Sequence, residues 1–137
     1  MYRCENKKAN IDEYYSLYLE TGWNEIQKLN KEEVQIALDN SFICVSVYEG
    51  DTLVGVGRVN SDGVVYACIY DVIVKKSHHK KGIGSMIVNM LVEKCKEVNM
   101  RSIHLFTAEG VKEFYEKLGF EVRPESAPGM RYIGKEE

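Results

Sequence analysis

Apolar positions along the chain change period twice, and those changes divide it into elements. Ile11, Tyr14, Tyr15 and Tyr18 recur three and four apart, behind an Asn10/Glu13 pair spaced as a capping box. This predicts a helix from about residue 11 to 20, stopped by Thr21-Gly22. Asn30 and Glu33 repeat the signal and open a second helix carrying Val34, Ile36, Ala37 and Leu38. From residue 42 the period falls to two. Phe42–Tyr48 reads as a strand, Gly50-Asp51 as a turn, Thr52–Val59 as a second strand and Asn60–Gly63 as a second turn. Val64–Val74 is apolar almost throughout, which suits a strand covered on both faces, with Asp71 its single acidic interruption. A long helix is expected over 82–98, with Met86, Ile87, Met90, Leu91, Cys95 and Val98 as its apolar stripe. Strand Ser102–Phe106, helix Val111–Leu118 and short strands at Phe120–Val122 and Met130–Ile133 complete the pattern. With a strand at the N-terminus, the order is β-α-α-β-β-β-α-β-α-β-β, a mixed α/β domain with helices on a largely antiparallel sheet.

No repeat, linker or low-complexity stretch interrupts this order, and the only prolines are Pro124 and Pro128. The reading is therefore one domain over residues 1–137. A chain of this length buries roughly two-thirds of its unfolded surface and can build a core without metal or disulfide. Its net charge of −3 argues against a general nucleic-acid binder. No apolar run reaches the ~18 residues of a membrane span, and the first residues lack the apolar segment of a secretory signal. Cys4, Cys44, Cys68 and Cys95 show no C-x-x-C spacing, so reduced thiols and a cytoplasmic setting are expected. Trp23, between the first two helices, reads either as a buried structural residue or as the wall of a substrate cleft.

Positive charge is concentrated in one place. Residues 75–81 read Lys-Lys-Ser-His-His-Lys-Lys, and without those four lysines the chain carries 14 basic against 21 acidic side chains. Gly82-Ile83-Gly84-Ser85 follows at once and opens the long helix. Unpaired N–H groups and the positive dipole end at a helix start favour an anion, and glycines let the backbone approach it closely. Strand, basic loop, Gly-x-Gly and helix together make a phosphate-binding device. It is neither a Rossmann fingerprint, because the third glycine position is Ile87, nor a P-loop, because no Gly-Lys-Ser/Thr occurs. Adjacent His78 and His79 lack the partners of a metal site, and no metal is expected.

The stretch from Asp71 to Gly84 resembles the acetyl-CoA motif of the GNAT superfamily of N-acetyltransferases, written Gln/Arg-x-x-Gly-x-Gly/Ala after a hydrophobic strand. Phe114-Tyr115-Glu116-Lys117-Leu118-Gly119-Phe120 is similar to a second signature near the family's C-terminus. The resemblance implies the GNAT-like acyl-CoA N-acyltransferase fold, with central strands that splay apart. It places the cofactor's pantetheine arm on the backbone of Val72, Ile73 and Val74, and the pyrophosphate on the N–H groups of Lys80, Lys81, Gly82, Ile83, Gly84 and Ser85. Phe114 would pack on the cofactor, Lys117 would help bind it, and Tyr115 would face its sulfur. The sequence departs from the motif at His79, which stands where Gln or Arg is usual, and at Ala108, where an Asn is frequent.

Direct acyl transfer from acetyl-CoA to an amine needs an oxyanion donor, an acid for the leaving thiolate and a base for the amine. The expectations are the Ile73 N–H as the donor and Tyr115 as the acid. Asp71 is the favoured base, with Tyr70, Glu20 and His104 as alternatives. Trp23, Asn24, Tyr66 and Tyr70 would line the acceptor side. The expected partners are acetyl-CoA and a small primary amine, with neither nucleic acid nor membrane; a homodimer is left open. A non-catalytic acyl-CoA sensor and acetylation of a protein or peptide amine are the alternative functions.

Overall fold

The computed structural model describes residues 1–134, grouped in two compact units, Met1–Phe106 and the segment from Thr107 onward. Each is described by itself.

The first unit is a five-stranded sheet in sequence order. Strand β1 (Tyr2–Glu5) leads into helices α1 (Ile11–Leu19), α2 (Asn24–Gln27) and α3 (Lys31–Asp39). Strands β2 (Ile43–Glu49), β3 (Thr52–Ser61) and β4 (Tyr66–Val74) follow, then a 3-10 turn at Lys76–His78, helix α4 (Ile83–Glu97) and strand β5 (Ser102–Leu105). Neighbouring strands are antiparallel except β4 and β5, which run parallel. The mixed α/β order therefore stands for this unit. None of its helices, nor the one in the second unit, is long and apolar enough to cross a membrane.

The helix starts follow the sequence signals. Asn10 Oδ1 accepts from the N–H groups of Asp12 and Glu13, at 2.9 and 3.3 Å. Asn30 forms the full capping box: its side chain accepts from Glu33 N–H at 2.8 Å and Glu33 Oε1 accepts from Asn30 N–H at 3.0 Å. Such caps are each worth about 1 kcal/mol. Asp62 Oδ1 accepts from the N–H groups of Val64, Val65 and Tyr66, so the β3–β4 turn closes on one carboxylate and β3 runs on to Ser61.

Two apolar layers sandwich the sheet. Tyr14, Leu17 and Tyr18 of α1 and Val34 and Leu38 of α3 cluster with Cys44, Tyr48, Leu53, Val56 and Ile73. On the other face α4 buries Ile83, Ile87, Val88, Leu91 and Cys95. Burying each of its four aliphatic side chains contributes roughly 1.5–3 kcal/mol. The approach is close because Gly55 and Gly57 lie beneath it. A Cβ on Gly57 would stand 2.5 Å from Ile87 Cγ2, and one on Gly55 would stand 2.9 Å from Ile83 Cγ2 and Ile87 Cδ1. The four cysteines are free thiols, with Cys44 and Cys95 buried.

The second unit holds helix α5 (Lys112–Lys117). The strands expected at Phe120–Val122 and Met130–Ile133 do not form, and both segments are irregular backbone. Their apolar runs are only three or four residues long. Pro124 and Pro128 between them offer no N–H, and neither segment pairs with a strand among the described residues.

Candidate active site

The open edge of β4 comes from the way it parts from β5. The two strands pair from Tyr66↔Ser102 to Ile69↔Leu105, and β4 then continues alone from Tyr70 to Val74. Asp71 and Val72 together stand opposite Gly57, a bulge between the pairs Arg58↔Tyr70 and Val56↔Ile73. Asp71 adopts φ +55°, a left-handed conformation that costs a non-glycine residue about 1 kcal/mol. Beyond the bulge, Lys75 N–H donates to Val54 O at 2.8 Å. Antiparallel alternation then turns Ile73 toward β3 as well, and leaves the polar groups of Val72 and Val74 facing the side that β5 has vacated. This corrects the expectation that Ile73 supplies the oxyanion donor; its N–H belongs to the sheet.

The loop after β4 is pinned by side chains. His78 Nε2 lies 2.9 Å from Glu49 Oε1, its Nδ1 lies 2.7 Å from Ser77 Oγ, and its ring meets Tyr2 edge-on. Glu20 Oε1 accepts from Lys76 N–H at 3.1 Å. His79 Nε2 lies 2.9 Å from Val74 O, where its N–H donates, so this side chain reaches the open edge. Lys80 and Gly82 then take positive φ, 64° and 80°.

Six consecutive N–H groups, from Lys80 to Ser85, have no backbone acceptor among the described residues, and Met86 N–H is the first to bond, to Gly82 O. A Cβ on Gly82 would meet nothing within 4 Å, so glycine is needed there for its backbone conformation. The unpaired amides and the dipole end of a 15-residue helix favour an anion next to the open edge, with Lys80 and Lys81 adjoining them in sequence. These residues fit a pyrophosphate joined to an extended amide-bearing arm.

The acceptor-side candidates divide. Tyr66 and Tyr70 lie four apart on β4 before the bulge and therefore share one sheet face. Asp71 Oδ2 accepts from Arg58 Nε at 2.8 Å, in a pair whose side chains are mostly buried. Burial raises the Tyr14 phenol well above its ordinary value, and the nearby Asp71 charge adds to the rise; Tyr18 is raised by the same two causes in the same order. Tyr70 is raised too, first by its hydrogen bond with Cys68 and then by burial. Asn24 brackets its own loop: Nδ2 donates to Leu29 O at 3.0 Å and Oδ1 accepts from Leu29 N–H at 2.7 Å. Its amide is thus committed to structure. Trp23 starts α2 at 37% exposure, and His104 is exposed on β5.

Phe114, Tyr115 and Lys117 belong to α5 of the second unit. The rings of Phe114 and Phe120 meet Tyr115 edge-on, at centroid distances of 4.9 and 6.0 Å. Phe120 N–H donates to Tyr115 O at 3.1 Å, beside Gly119 at φ +100°. Burial pushes the Tyr115 phenol above its usual value and keeps its proton in place at neutral pH. Arg58 went unnoticed in the sequence, although an arginine within Val54-Gly55-Val56-Gly57-Arg58-Val59 was a visible anomaly. The two glycines in that run were also a readable sign of close approach.

The pattern of the acetyltransferase (GNAT) family matches residues 8–120. An uncharacterized N-acetyltransferase of Pyropia yezoensis, ycf52, is 32% identical over 134 residues, spanning 95% of this chain and 75% of that one. A GNAT family acetyltransferase of Streptococcus pneumoniae superposes with a TM-score of 0.82 at 29% identity, over 99% of this chain and all of the other. A probable acetyltransferase of Staphylococcus aureus gives 0.83 at 26% identity, over 98% of this chain and all of the other.

Proposed function

The chain belongs to the acetyltransferase (GNAT) family, and from that premise we propose that it transfers an acetyl group from acetyl-CoA directly to the primary amine of a small molecule. The observation that carries this reading is the cradle of six free N–H groups at the start of α4, set beside the unpaired edge of β4. Together they offer one extended ligand both an anion site and a strand of backbone partners. Acetyl-CoA supplies the activated thioester. Lys80 to Ser85 hold the pyrophosphate, and Val72 and Val74 hold the arm by strand-like hydrogen bonds. An outward-facing N–H of the same edge, Val72 or Val74, polarises the thioester carbonyl. As the amine nitrogen bonds to the acetyl carbon and the C–S bond breaks, the nitrogen's proton leaves to solvent. Tyr115 acts as the general acid, giving its proton to the leaving sulfur and regaining one from solvent; its raised pKa keeps that proton available. No covalent acyl-enzyme is needed, because both substrates are held at once.

The test is a thermal shift with acetyl-CoA followed by thiol release over polyamines, arylalkylamines, aminoglycosides, amino acids and peptides. A ligand at 100 times its Kd adds about 2.7 kcal/mol of stability. A shift together with thiol release on a small amine supports the reading. A shift with no release on any acceptor points to a sensor, release only on peptides transfers the activity to protein amines, and no shift at all refutes acetyl-CoA binding.

A further inference from the structure

Asp71 stands out within the sheet. It is the one residue of β4 with positive φ; the other non-glycine residues with that conformation, Lys28, Lys80 and Asn99, lie outside the strands. It also marks the turning point of the strand. Ile69 is the last residue of β4 paired with β5, and Asp71 and Val72 form the bulge opposite Gly57. Bulge and open edge therefore adjoin, and the conformation of Asp71 bears on how the edge residues after it are presented.

Arg58 is the group in contact with it. Arg58 lies across from Tyr70, the residue before the bulge, and its Nε donates to Asp71 Oδ2 at 2.8 Å. Its Nη1 donates to Ser41 Oγ at 3.2 Å and Asn60 Oδ1 at 3.3 Å, and its guanidinium carbon lies 5.8 Å from the centre of the Tyr70 ring. The side chain is only 15% exposed, and Nε and Nη1 are spent inside the protein. One arginine of β3 ties the first bulge residue and the Tyr70 before it to Asn60 and to Ser41 in the segment after α3.

We propose that Arg58 is a positioning residue for acyl transfer: its ion pair with Asp71 holds the β4 bulge, and the bulge sets the Val72 and Val74 polar groups at the edge where the acyl-CoA arm binds. This rests on the acetyl-CoA reading above. Asp71 occupies a conformation that glycine would take freely, and its carboxylate compensates by anchoring to Arg58.

The experiment measures acetyl-CoA Kd, Tm and hydrogen exchange of the Lys75 amide in Asp71→Ala, Asp71→Asn, Arg58→Met and Arg58→Met/Asp71→Gly. Alanine and Arg58→Met should each raise Kd at least about tenfold, or ~1.4 kcal/mol. Asn tolerates the left-handed region and still accepts from Arg58, so its Kd should stay within about threefold. The double variant should recover most of the Arg58→Met loss, because glycine keeps the bulge without an anchor. Lys75 exchange should quicken in Arg58→Met and slow again in the double variant. Lower Tm with unmoved Kd in Asp71→Ala and Arg58→Met, or no recovery in the double variant, would overturn the proposal. If the unaltered protein itself fails to bind acetyl-CoA, the cofactor reading falls. Lys75 exchange then decides on the anchor alone, and unchanged exchange in Arg58→Met overturns it.

Discussion

Alanine at Gly57 should loosen α4 from the sheet. The new Cβ would lie 2.5 Å from Ile87 Cγ2 and 3.0 Å from Leu91 Cδ1, where carbons in comfortable contact sit about 3.5–4.0 Å apart. Ile87 is 0% exposed, its Cγ2 is bonded directly to Cβ, and a β-branched side chain in a helix has one strongly preferred χ1. The methyl cannot swing away, so the helix must lift by about 1 Å at that point. Overpacking of this kind costs about 1–3 kcal/mol. For a chain of this length that corresponds to a fall in Tm of ~3–10 °C. Thermal and urea unfolding give the loss. A double-mutant cycle with Ile87→Ala tests the cause, since removing the crowded methyl should return at least about 1 kcal/mol of coupling. Ile87→Val serves as the control: it keeps Cγ2 and should bring no relief at Gly57. A Gly57→Ala protein within about 0.5 kcal/mol of the parent would refute the argument, because only a less tightly seated helix could absorb the methyl.

Gly84→Val should raise the acetyl-CoA Kd at least tenfold, ~1.4 kcal/mol, by putting a side chain in the cradle; calorimetric titration of the folded variant checks it. Tyr115→Phe should lower kcat about 10- to 100-fold with Kd changed less than threefold, and an unaltered kcat under chemistry-limited turnover would assign the proton to another donor. His78 holds the Glu49 carboxyl below its ordinary value of 4.5, first through their hydrogen bond. This contact therefore stabilises the Lys76–His78 turn above that pH and is lost as pH falls through the depressed value. Amide protection at residues 76–79, measured against the intrinsic exchange rate at each pH, should fall in that acid window, and Glu49→Gln should remove this pH dependence of the protection.

What could be read from the sequence was what depends on neighbours along the chain. The Asn30/Glu33 box and the lysine-glycine run before α4 are local devices, and each lies where its spacing places it. The α4 stripe is only half as expected: Ile87, Leu91 and Cys95 are buried, but Val88 joins them while Met86 and Met90 stay partly exposed and Val98 caps the helix 46% exposed. What could not be read depends on partners far away. Nothing around Asn24 indicates that both ends of its amide are used by Leu29, and nothing around Asp71 indicates a bulge whose anchor lies 13 positions earlier. Ile73 shows the same limit, since the direction of its N–H is fixed by the register with Val56 and by the bulge before it. The two absent C-terminal strands failed for the complementary reason: alternation supplied a pattern, but pairing needs a partner edge.

The order of the sheet also bears on how the protein assembles. β2, β3 and β4 follow one another through short turns, so their pairing closes small loops and is entropically cheap. β5 arrives only after the whole of α4 has been crossed, and it is held by four parallel register positions at the rim of the sheet. It is expected to dock last during folding and to open first in native-state exchange. The gap where β4 and β5 part is thus framed on one side by an early-formed strand and on the other by a late one. Local opening at β5 would widen that gap while leaving the β2–β4 meander intact.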